Sequence, residues 1–309
     1  MTTLADDLEP YRPRLFGLAY RMLGDAHEAE DVVQEAMLRW HRAERGAVES
    51  PEAWLGAVAT RLSIDRLRRA ATERAAYDGP WLPEPVADER LAPDRGAELA
   101  SDLSMAFLVL LERLAPEERA AFLLREVFDA DYADVARALG KSEAACRQIV
   151  HRARERVRTG RARVAVPPDA HERLFGRFLD ALARDDEAAL IALFADEATF
   201  TSDGGGKVPA ARNVLVGAGH IARFLGAIHR KFGQLMEHRV LSVNGEPALL
   251  TYAGGRLLAA TWFVTDGERV LDVLRVMNPE KLQGLASALG VDVIDPAAAW
   301  AAVTGRPRT

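Results

Sequence analysis

The sequence predicts a chain of several domains, in which two all-α parts are followed by one α+β domain. Three observations support this division. Apolar residues recur at helical spacing in the first half, prolines interrupt that spacing twice, and strand-like runs with hairpin dipeptides follow. The predicted parts are 1–76, a linker at 77–99, 100–163, a second linker at 164–170, 171–288, and a tail at 289–309 that we expect to be poorly ordered.

Composition narrows the classes of protein that the chain can represent. With 309 residues, 28% of them charged, and a net charge of −6, it does not coat nucleic acid through bulk charge, so any DNA affinity must come from a local patch. The single cysteine, Cys146, excludes an internal disulfide, and packing is its expected role. Neither a signal peptide nor a run of membrane-spanning length is visible, which predicts a cytoplasmic protein without a membrane partner.

The N-terminal part is predicted to contain three helices. Leu8–Met22 carries its apolar residues on one face, and Asp25–Trp40 forms the second helix. Acidic residues crowd that second helix. The helix dipole explains those in the first turn but fits less well for Asp31 and Glu35, so this face is a candidate docking surface for a basic protein.

The third helix begins with Ser50 as N-cap and Pro51 at its first position, and it ends in an arginine-rich stretch. The charged residues of that stretch are Arg61, Asp65, Arg66, Arg68 and Arg69. Either the helix dipole or a bound nucleic acid explains cations near a helix C-terminus, and both interpretations stay open at this point.

The first linker contains apolar side chains that a simple spacer would lack. Its three prolines, Pro80, Pro83 and Pro85, exclude a helix. Trp81 and Leu82 should therefore seek an apolar groove.

A basic helix follows a glycine turn in the second all-α part. Tyr132–Leu139 is predicted as a short amphipathic helix, Gly140–Lys141 as the turn, and Ser142 as the N-cap of a helix that continues to Arg163. The apolar stripe of the long helix is Ala145, Ile149, Ala153 and Val157. A short helix, a turn and a longer basic helix are the parts of a helix-turn-helix, although an ordinary hairpin with a solvated basic face is the alternative.

The C-terminal part changes in character. Two helices are predicted over 171–193, one helix over 217–231, and a short strand over 198–202. Four strand-like runs then follow, with Asn244–Gly245 and Asp266–Gly267 as hairpin turns. This order favours a curved sheet wrapped around helices.

Two blocks of the chain together resemble the extracytoplasmic-function sigma factors of bacterial RNA polymerase. The segments that resemble region 2 of this family are Asp31–Glu35, Pro51–Leu55 and Arg61–Arg69. The segments that resemble region 4 are Leu114–Glu126, Tyr132–Ala136 and His151–Arg156. The resemblance implies a protein that makes no covalent change and instead supplies promoter recognition and strand opening to core RNA polymerase.

The resemblance also implies roles for the charged surfaces. The residues implied at the −35 element are Ser142, Glu143, Ala144, Arg147, Gln148, His151, Arg152 and Arg154, with Arg156 and Arg158 also on the DNA backbone. Those implied at the −10 element are Arg61, Asp65, Arg66, Arg68 and Arg69, beside a base-capturing loop at His41–Ser50. Asp31, Gln34 and Glu35 are implied in polymerase binding. Trp40 and Trp54 have the surfaces to stack on bases, but their spacing favours core packing.

Three further motifs resemble a sigma-J-type subgroup that carries a fused SnoaL-like domain of the NTF2-like fold. They are Trp81–Pro85, Asp203–Lys207 and Asn278–Leu282. We expect the linker to pack on this domain near the other two motifs, which would fix the two DNA-binding domains relative to each other. The residues expected in this regulatory contact are Trp81, Leu82, Pro83, Asp203, Gly204, Gly205, Gly206, Lys207, Asn278, Pro279, Lys281 and Leu282.

Cones of the NTF2-like fold hold small ligands, so two alternative functions stay open. One is a helix-turn-helix regulator with a small-ligand sensor, and the other is an isomerase or cyclase with paired acid and base groups. The titratable candidates are Asp203, His220, His229, His238 and Asp272, which form no recognisable pair in the sequence. We therefore assign no catalytic residue, metal or cofactor. The expected partners are core RNA polymerase, promoter DNA and a small-molecule ligand in the cone.

Overall fold

The computed structural model describes residues 8–43, 48, 50–88, 103–159, 166–295 and 297–299. The chain divides into two compact units, Met1–Ala75 with Phe107–Ala162 and Ala76–Ala106 with Arg163–Thr309. The two sigma-like blocks thus share one unit, the helical unit. The described part of the first linker belongs to the other, the C-terminal unit. Within the described ranges, no helix is long and apolar enough to cross a membrane.

The first half of the helical unit contains the three predicted helices. Its elements are a 3-10 turn at Glu9–Tyr11, α1 at Arg12–Leu23, α2 at Ala26–Arg42 and α3 at Pro51–Ala75. Gly24 ends α1 in the left-handed region with φ 66°, and the Asp25 carboxylate caps α2 by accepting the Glu28 N–H at 2.9 Å. At α3, the Ser50 hydroxyl accepts the Ala53 N–H at 3.2 Å, as the sequence predicts.

The second half of the helical unit contains the predicted helix-turn-helix. Its elements are α4 at Met105–Leu111, α5 at Pro116–Phe122, a π-helical turn at Leu123–Val127, α6 at Tyr132–Leu139 and α7 at Glu143–Thr159. The predicted bounds of α6 are confirmed. The prediction that α7 continues to Arg163 falls on residues outside the described ranges.

The buried face of α7 is wider than the predicted stripe. Ile149 and Ala153 are buried, but Ala145 and Val157 are only half-buried, and Cys146 and Val150 complete the buried face. The physical reason is that steps of four residues drift about 40° around a helix with about 3.6 residues per turn. Burial of Cys146 is consistent with the expected packing role.

The C-terminal unit is the predicted α+β domain. Its elements are α8 at Pro168–Ala183, α9 at Glu187–Leu193, β1 at Phe194–Asp203, β2 at Leu215–Val216, α10 at Ala218–Phe232, a 3-10 turn at Gly233–Leu235, β3 at Met236–Val243, β4 at Glu246–Ala253, β5 at Arg256–Thr265, β6 at Val270–Val276 and α11 at Pro279–Ala288. The sheet has six strands in the order β2-β1-β6-β5-β4-β3. The main core lies between the helices and this sheet, with Phe175 packed 4.4 Å from Phe263 between ring centroids.

The antiparallel meander from β3 to β6 is confirmed, but two features of the sheet differ from the prediction. Strand β1 pairs parallel to β6, and the two-residue strand β2 extends the edge. Hairpin dipeptides reveal only strands that follow each other along the chain, so they do not predict a parallel pair far apart in sequence. Of the tail, the part beyond residue 299 falls outside the described ranges.

Candidate functional site

A buried aspartate lies at the centre of the contact between the first linker and the C-terminal domain. Asp203, at the end of β1, is 0% exposed. Its carboxylate accepts hydrogen bonds from the Tyr77 hydroxyl at 2.6 Å, the Leu82 N–H at 2.9 Å, the Gly205 N–H at 3.1 Å and Lys281 Nζ at 2.7 Å. We call this arrangement the linker clamp. It satisfies a buried charge with an ion pair and three further donors, which a carboxylate in a protein interior requires.

Lys281 of α11 makes the second group of clamp contacts. Its ammonium donates to the Leu82 carbonyl at 2.5 Å and lies 4.0 Å from the ring centroid of Trp81 and 5.0 Å from that of Tyr77. The side chain is only 12% exposed, so these cation–π contacts are largely desolvated. One lysine therefore binds both the aspartate and the apolar linker motif.

Asn278 ties the start of α11 to the same centre. Its Nδ2 donates to the Tyr77 hydroxyl at 2.9 Å, and its backbone N–H donates to the Asp203 carbonyl at 2.8 Å. The Asn278 side chain also caps α11, in which Pro279 and Leu282 are buried. Burial, and then the Asp203 charge, raise the pKa of Tyr77 far above its usual range, so the phenol remains a donor.

The glycines after Asp203 are required by crowding. Gly205 and Gly206 have φ values of 58° and 66°, which side chains rarely adopt. A Cβ on Gly205 would lie 2.4 Å from Asn278 Nδ2, and one on Gly206 would lie 2.8 Å from an Asp78 carboxylate oxygen. Gly204 is also crowded, since its Cβ would lie 2.7 Å from a neighbouring side chain.

The remaining predicted clamp residues differ in burial. Leu82 and Pro83 are buried, and Trp81 is half-buried beneath Lys281. Lys207 instead forms an ion pair with Glu280 at the surface. The structure thus brings the three predicted motifs together around Asp203.

A second anchor holds the linker to the turn between β3 and β4. The Asn244 side chain accepts the Val86 N–H at 3.0 Å and donates to the Leu103 carbonyl at 3.1 Å, and its backbone N–H donates to the Val86 carbonyl at 3.1 Å. Met105 N–H donates to Glu246 at 2.7 Å. The described ends of the linker on both sides of residues 89–102 therefore bind one hairpin turn.

Sequence reasoning missed Tyr77 and Asn244. Tyr77 directly precedes the linker motif, but its partners lie more than a hundred residues away along the chain. Asn244 was assigned only to a hairpin turn, and its φ of 59° is consistent with that role. In this turn, its side-chain amide binds the backbone of Val86 and of Leu103.

All eight residues implied at the −35 element lie on the exposed side of the helix-turn-helix. Several of their side chains already have partners within the unit. Arg147 pairs with Glu143 at 2.7 Å and lies 4.9 Å from the Tyr132 ring centroid, while Arg154 pairs with Glu126 at 2.6 Å. These pairs are solvent-exposed, so exchanging them for phosphates costs little.

The residues implied at the −10 element contact the second half of the helical unit. Arg61 of α3 donates to the carbonyls of Ala138 at 2.9 Å and Arg137 at 2.5 Å, at the C-terminal end of α6. Arg68 pairs with Glu117 of α5 at 2.9 Å. The arginine-rich stretch therefore also joins the two sigma-like blocks.

The remaining residues of that stretch differ in their surroundings. Arg66 pairs with Glu28 at 2.6 Å, and Asp65 lies 3.8 Å from Arg68. Arg69 is exposed. Half of the base-capturing loop implied at His41–Ser50, residues 44–47 and 49, lies outside the described ranges.

The implied polymerase-binding face lies on α2. Gln34 is exposed, Asp31 and Glu35 are half-buried, and Glu35 pairs with Arg39 at 2.7 Å. Trp40 is buried and packs edge-on against Trp54 at 5.4 Å between centroids, as their spacing predicts.

One face of the sheet, together with α8 and α10, encloses a small cavity with a volume of about 40 Å³. Its lining includes His229 and His238 but not the other three titratable candidates of this domain. Asp203 belongs to the clamp, Asp272 accepts a hydrogen bond from Thr199, and the His220 ring lies 3.1 Å from the Val216 carbonyl oxygen. Sequence reasoning missed Arg275, which also lines the cavity.

Family comparisons match both halves of the helical unit. Residues 8–73 match the family described as Sigma-70 region 2, and residues 104–157 match Sigma-70, region 4. The extracytoplasmic-function RNA polymerase sigma factor SigJ of Mycobacterium tuberculosis is 38% identical over 295 residues, which cover 90% of this chain and 93% of that protein. A probable sigma factor of the same class and species, SigI, is 29% identical and covers 91% of this chain and 95% of its own.

A solved structure extends this similarity to the three-dimensional fold. The crystal structure of the M. tuberculosis SigJ protein superimposes with a TM-score of 0.71 at 33% identity, over 91% of this chain and 98% of that chain. The likeness therefore includes the C-terminal domain as well as the two sigma regions.

Proposed function

Because the chain belongs to the extracytoplasmic-function sigma factors and therefore directs transcription initiation with core RNA polymerase, we propose that its SnoaL-like domain regulates this activity through the linker clamp. The observation that carries the proposal is the environment of Asp203. A buried carboxylate, satisfied jointly by the linker and by α11, holds the segment that connects region 2 with region 4.

The mechanism follows from chain connectivity. Helix α3 ends at Ala75, just before Tyr77, and α4 begins at Met105, just after Leu103. Both ends of the connection between the sigma regions are thus hydrogen-bonded to one domain. The clamp limits how far the two regions separate, and so it selects the spacing between −35 and −10 elements that the holoenzyme accepts.

The test is run-off transcription by core polymerase on templates whose −35 to −10 spacing changes in single base-pair steps. Tyr77→Phe and Asp203→Asn should broaden the dependence on spacing. Arg230→Ala, which removes an exposed pair with Asp185 in the same domain, should leave it unchanged. An unchanged profile in both clamp variants, each shown to fold and to bind core polymerase, would rule out this mechanism.

Deletion of residues 170–309 supplies a coarser test of the same regulation. Equal promoter-dependent transcription with and without these residues would leave the domain with no regulatory role. The point variants remain the primary test, since the deletion also uncovers Leu82 and Val86, which are buried in the intact protein.

The exposed face of α7 is proposed to read the −35 element. Arginine binds guanine edges in a bidentate manner or grips phosphates, and Gln148 suits adenine. Arg147→Ala should weaken −35 recognition about tenfold while core polymerase binding is retained. Arg173→Ala, which removes the same charge from an exposed pair in the C-terminal domain, is the control. Equal promoter affinity of the Arg147 variant and the parent would contradict this role.

The acidic face of α2 is proposed to dock on the polymerase. Glu35→Lys places a cation beside Arg39 and should weaken holoenzyme assembly through lost charge complementarity. Glu237→Lys makes the same charge change on an exposed position of β3. Equal holoenzyme assembly by the two variants would show that the acidic face of α2 contacts only solvent and does not bind the polymerase.

The arginine-rich stretch of α3 is proposed to bind the opened −10 strand, which requires Arg61 and Arg68 to leave their partners on α6 and α5. The helical unit then has to open when promoter DNA binds. In a Cys146→Ser background, bridging cysteines at positions 68 and 117 with a reducible bifunctional thiol reagent should block promoter opening, and reduction should raise it to the level of the unbridged double-cysteine variant. Full activity of the crosslinked protein would contradict the proposal.

The two alternative functions fit less well. A helix-turn-helix regulator does not explain the region 2 match at residues 8–73. An isomerase or cyclase needs a paired acid and base, and the cavity lining that the structure describes contains no aspartate or glutamate.

A further inference from the structure

Among the residues that the structure describes, the half-buried Arg275 faces the cone cavity with a buried Nε that has no hydrogen-bond partner. Arg275 of β6 lies directly opposite Thr261 of β5 and lines the cavity among mainly apolar side chains. Across the residues that the structure describes, no acceptor is within hydrogen-bonding distance of its buried Nε. Burying part of a cationic group without a hydrogen-bond acceptor is costly, so this lining suits an anionic ligand.

The rest of the lining has the same electrostatic character. The described lining contains His229, His238 and Arg275 but no carboxylate. Burial, and then the charges of Arg275 and His229, lower the pKa of His238 to about 4, so this imidazole is neutral near pH 7. Burial also lowers the pKa of Arg275 to about 10, which still leaves the guanidinium charged. Arg275 thus presents a positive charge to the cavity.

The polar groups follow one path across the sheet. His238 pairs in register with Thr251, whose hydroxyl oxygen lies 3.2 Å from its Nδ1, and Thr261 pairs with Arg275. The remaining lining is aromatic and aliphatic, with Phe178 and Leu225 among its members. A ligand that fits this surface has one charged end and a short apolar body.

The volume limits the size of that ligand. A cavity of about 40 Å³ has room for about three water molecules at the usual 10–15 Å³ each. This space matches a carboxylate with one or two further carbons. A planar carboxylate also suits the forked geometry of guanidinium donors.

We propose that the SnoaL-like domain binds a small aliphatic monocarboxylate in its cone, with Arg275 as the ligand for the carboxylate. The proposal does not depend on the clamp mechanism, because binding is measured on the full chain without polymerase or DNA.

The first experiment titrates the full chain with propionate at constant ionic strength, using the Nε–H resonance of Arg275 and the thermal unfolding of the C-terminal unit as readouts. Propionate should bind with a Kd of about 1 mM, typical of a ligand with so few atoms. Propionamide, which has the same shape without the charge, should bind at least tenfold more weakly. Equal responses to propionate and propionamide, or to propionate and inorganic phosphate, would overturn the assignment to a carboxylate.

The second experiment separates binding from structure. Arg275→Met keeps the side-chain length and removes the charge, so it should abolish the propionate response and raise the melting temperature of the ligand-free C-terminal unit. Arg256→Met, which removes an exposed cation from β5 outside the cavity lining, should still bind propionate. A ligand-free Arg275→Met protein that melts below the parent would identify Arg275 as a structural residue and overturn the proposal.

Discussion

The linker clamp and the joint between the two sigma-like blocks both connect segments far apart in sequence, but they do so with different physical chemistry. The clamp centres on Asp203 and Lys281, whose side chains are 0% and 12% exposed. The joint in the helical unit includes Arg68 and Glu117, which are 57% and 37% exposed. Buried, fully satisfied pairs resist separation, whereas exposed pairs exchange readily with water, salt or another anion.

This difference matches the demands on each contact. The clamp has to persist if the C-terminal domain is to control the linker. The joint has to separate if Arg61 and Arg68 are to reach the −10 strand. The joint also contains less exposed groups, since Arg119 donates to the Met22 carbonyl at 2.6 Å and to Glu112 at 2.7 Å. The contacts of the joint therefore differ in strength, since some are exposed ion pairs and others are buried hydrogen bonds.

The strongest test of the comparison removes the clamp carboxylate. Asp203→Ala leaves Lys281 buried without its counter-ion and should lower the free energy of unfolding of the C-terminal unit by about 3 kcal/mol. Hydrogen exchange at the Leu82 amide, which donates to Asp203, should accelerate in parallel. Asp196→Ala is the control, because that side chain is 98% exposed. Equal effects of the two substitutions would show that the clamp is no firmer than a surface pair.

The next effect concerns the glycine loop. Gly205→Ala combines a φ of 58° with a Cβ only 2.4 Å from Asn278 Nδ2, and should destabilise the C-terminal unit by about 2 kcal/mol or more. Gly254→Ala has nearly the same φ, 56°, but no atom within 4 Å of the new Cβ, so it should cost only about 1 kcal/mol. Denaturant unfolding of both variants measures the difference, which isolates crowding at the clamp. Equal destabilisation by the two substitutions would mean that the loop shifts enough to accommodate a Cβ at position 205.

A smaller effect is expected for the joint in the helical unit. Arg61→Ala removes two hydrogen bonds to carbonyls at the end of α6 and should destabilise the helical unit by about 1 kcal/mol. Arg69→Ala, at an exposed position of the same helix, should change the free energy of unfolding by less than about 0.5 kcal/mol. Hydrogen exchange at the amides of α3 and α6 under native conditions measures this free energy for the helical unit. A larger loss of stability in Arg69→Ala than in Arg61→Ala would show that Arg69, and not Arg61, stabilises the joint.

The smallest effect is the coupling between Arg68 and Glu117. A double-mutant cycle should give about 0.5 kcal/mol at low salt, and the value should fall towards zero near 1 M salt, because both side chains are exposed. A coupling that survives high salt would indicate a joint as firm as the clamp and would remove the contrast between the two contacts.

Local patterns predicted much of this architecture from the sequence. The bounds of α6, the cap at Ser50 and the meander from β3 to β6 follow from periodicity, capping and turn residues that act over a few positions. The linker contact was expected because Trp81 and Leu82 are apolar where a spacer would be polar. The residues that face the cavity were harder to find. Strand β6 is apolar on both faces, so alternation does not reveal which way Arg275 points.

Contacts between distant segments account for the rest. Nothing near Arg61 in the sequence indicates that it binds the end of α6, and nothing near Tyr77 indicates Asn278 as a partner. The glycines at 204–206 have no explanation in the residues next to them in sequence, whereas their neighbours in the fold explain them by steric exclusion.

The parallel pairing of β1 with β6 has a thermodynamic consequence. Ser202 pairs with Arg275, and the next pair along the same two strands is Asp203 with Val276. Consecutive residues of a strand point to opposite faces, so the cavity cation and the clamp carboxylate lie back to back across one pair of strands. If a carboxylate ligand alters the clamp, linkage requires that the clamp alter the affinity for that ligand by the same factor. The Kd for propionate in Tyr77→Phe would then report the strength of the clamp without any transcription assay.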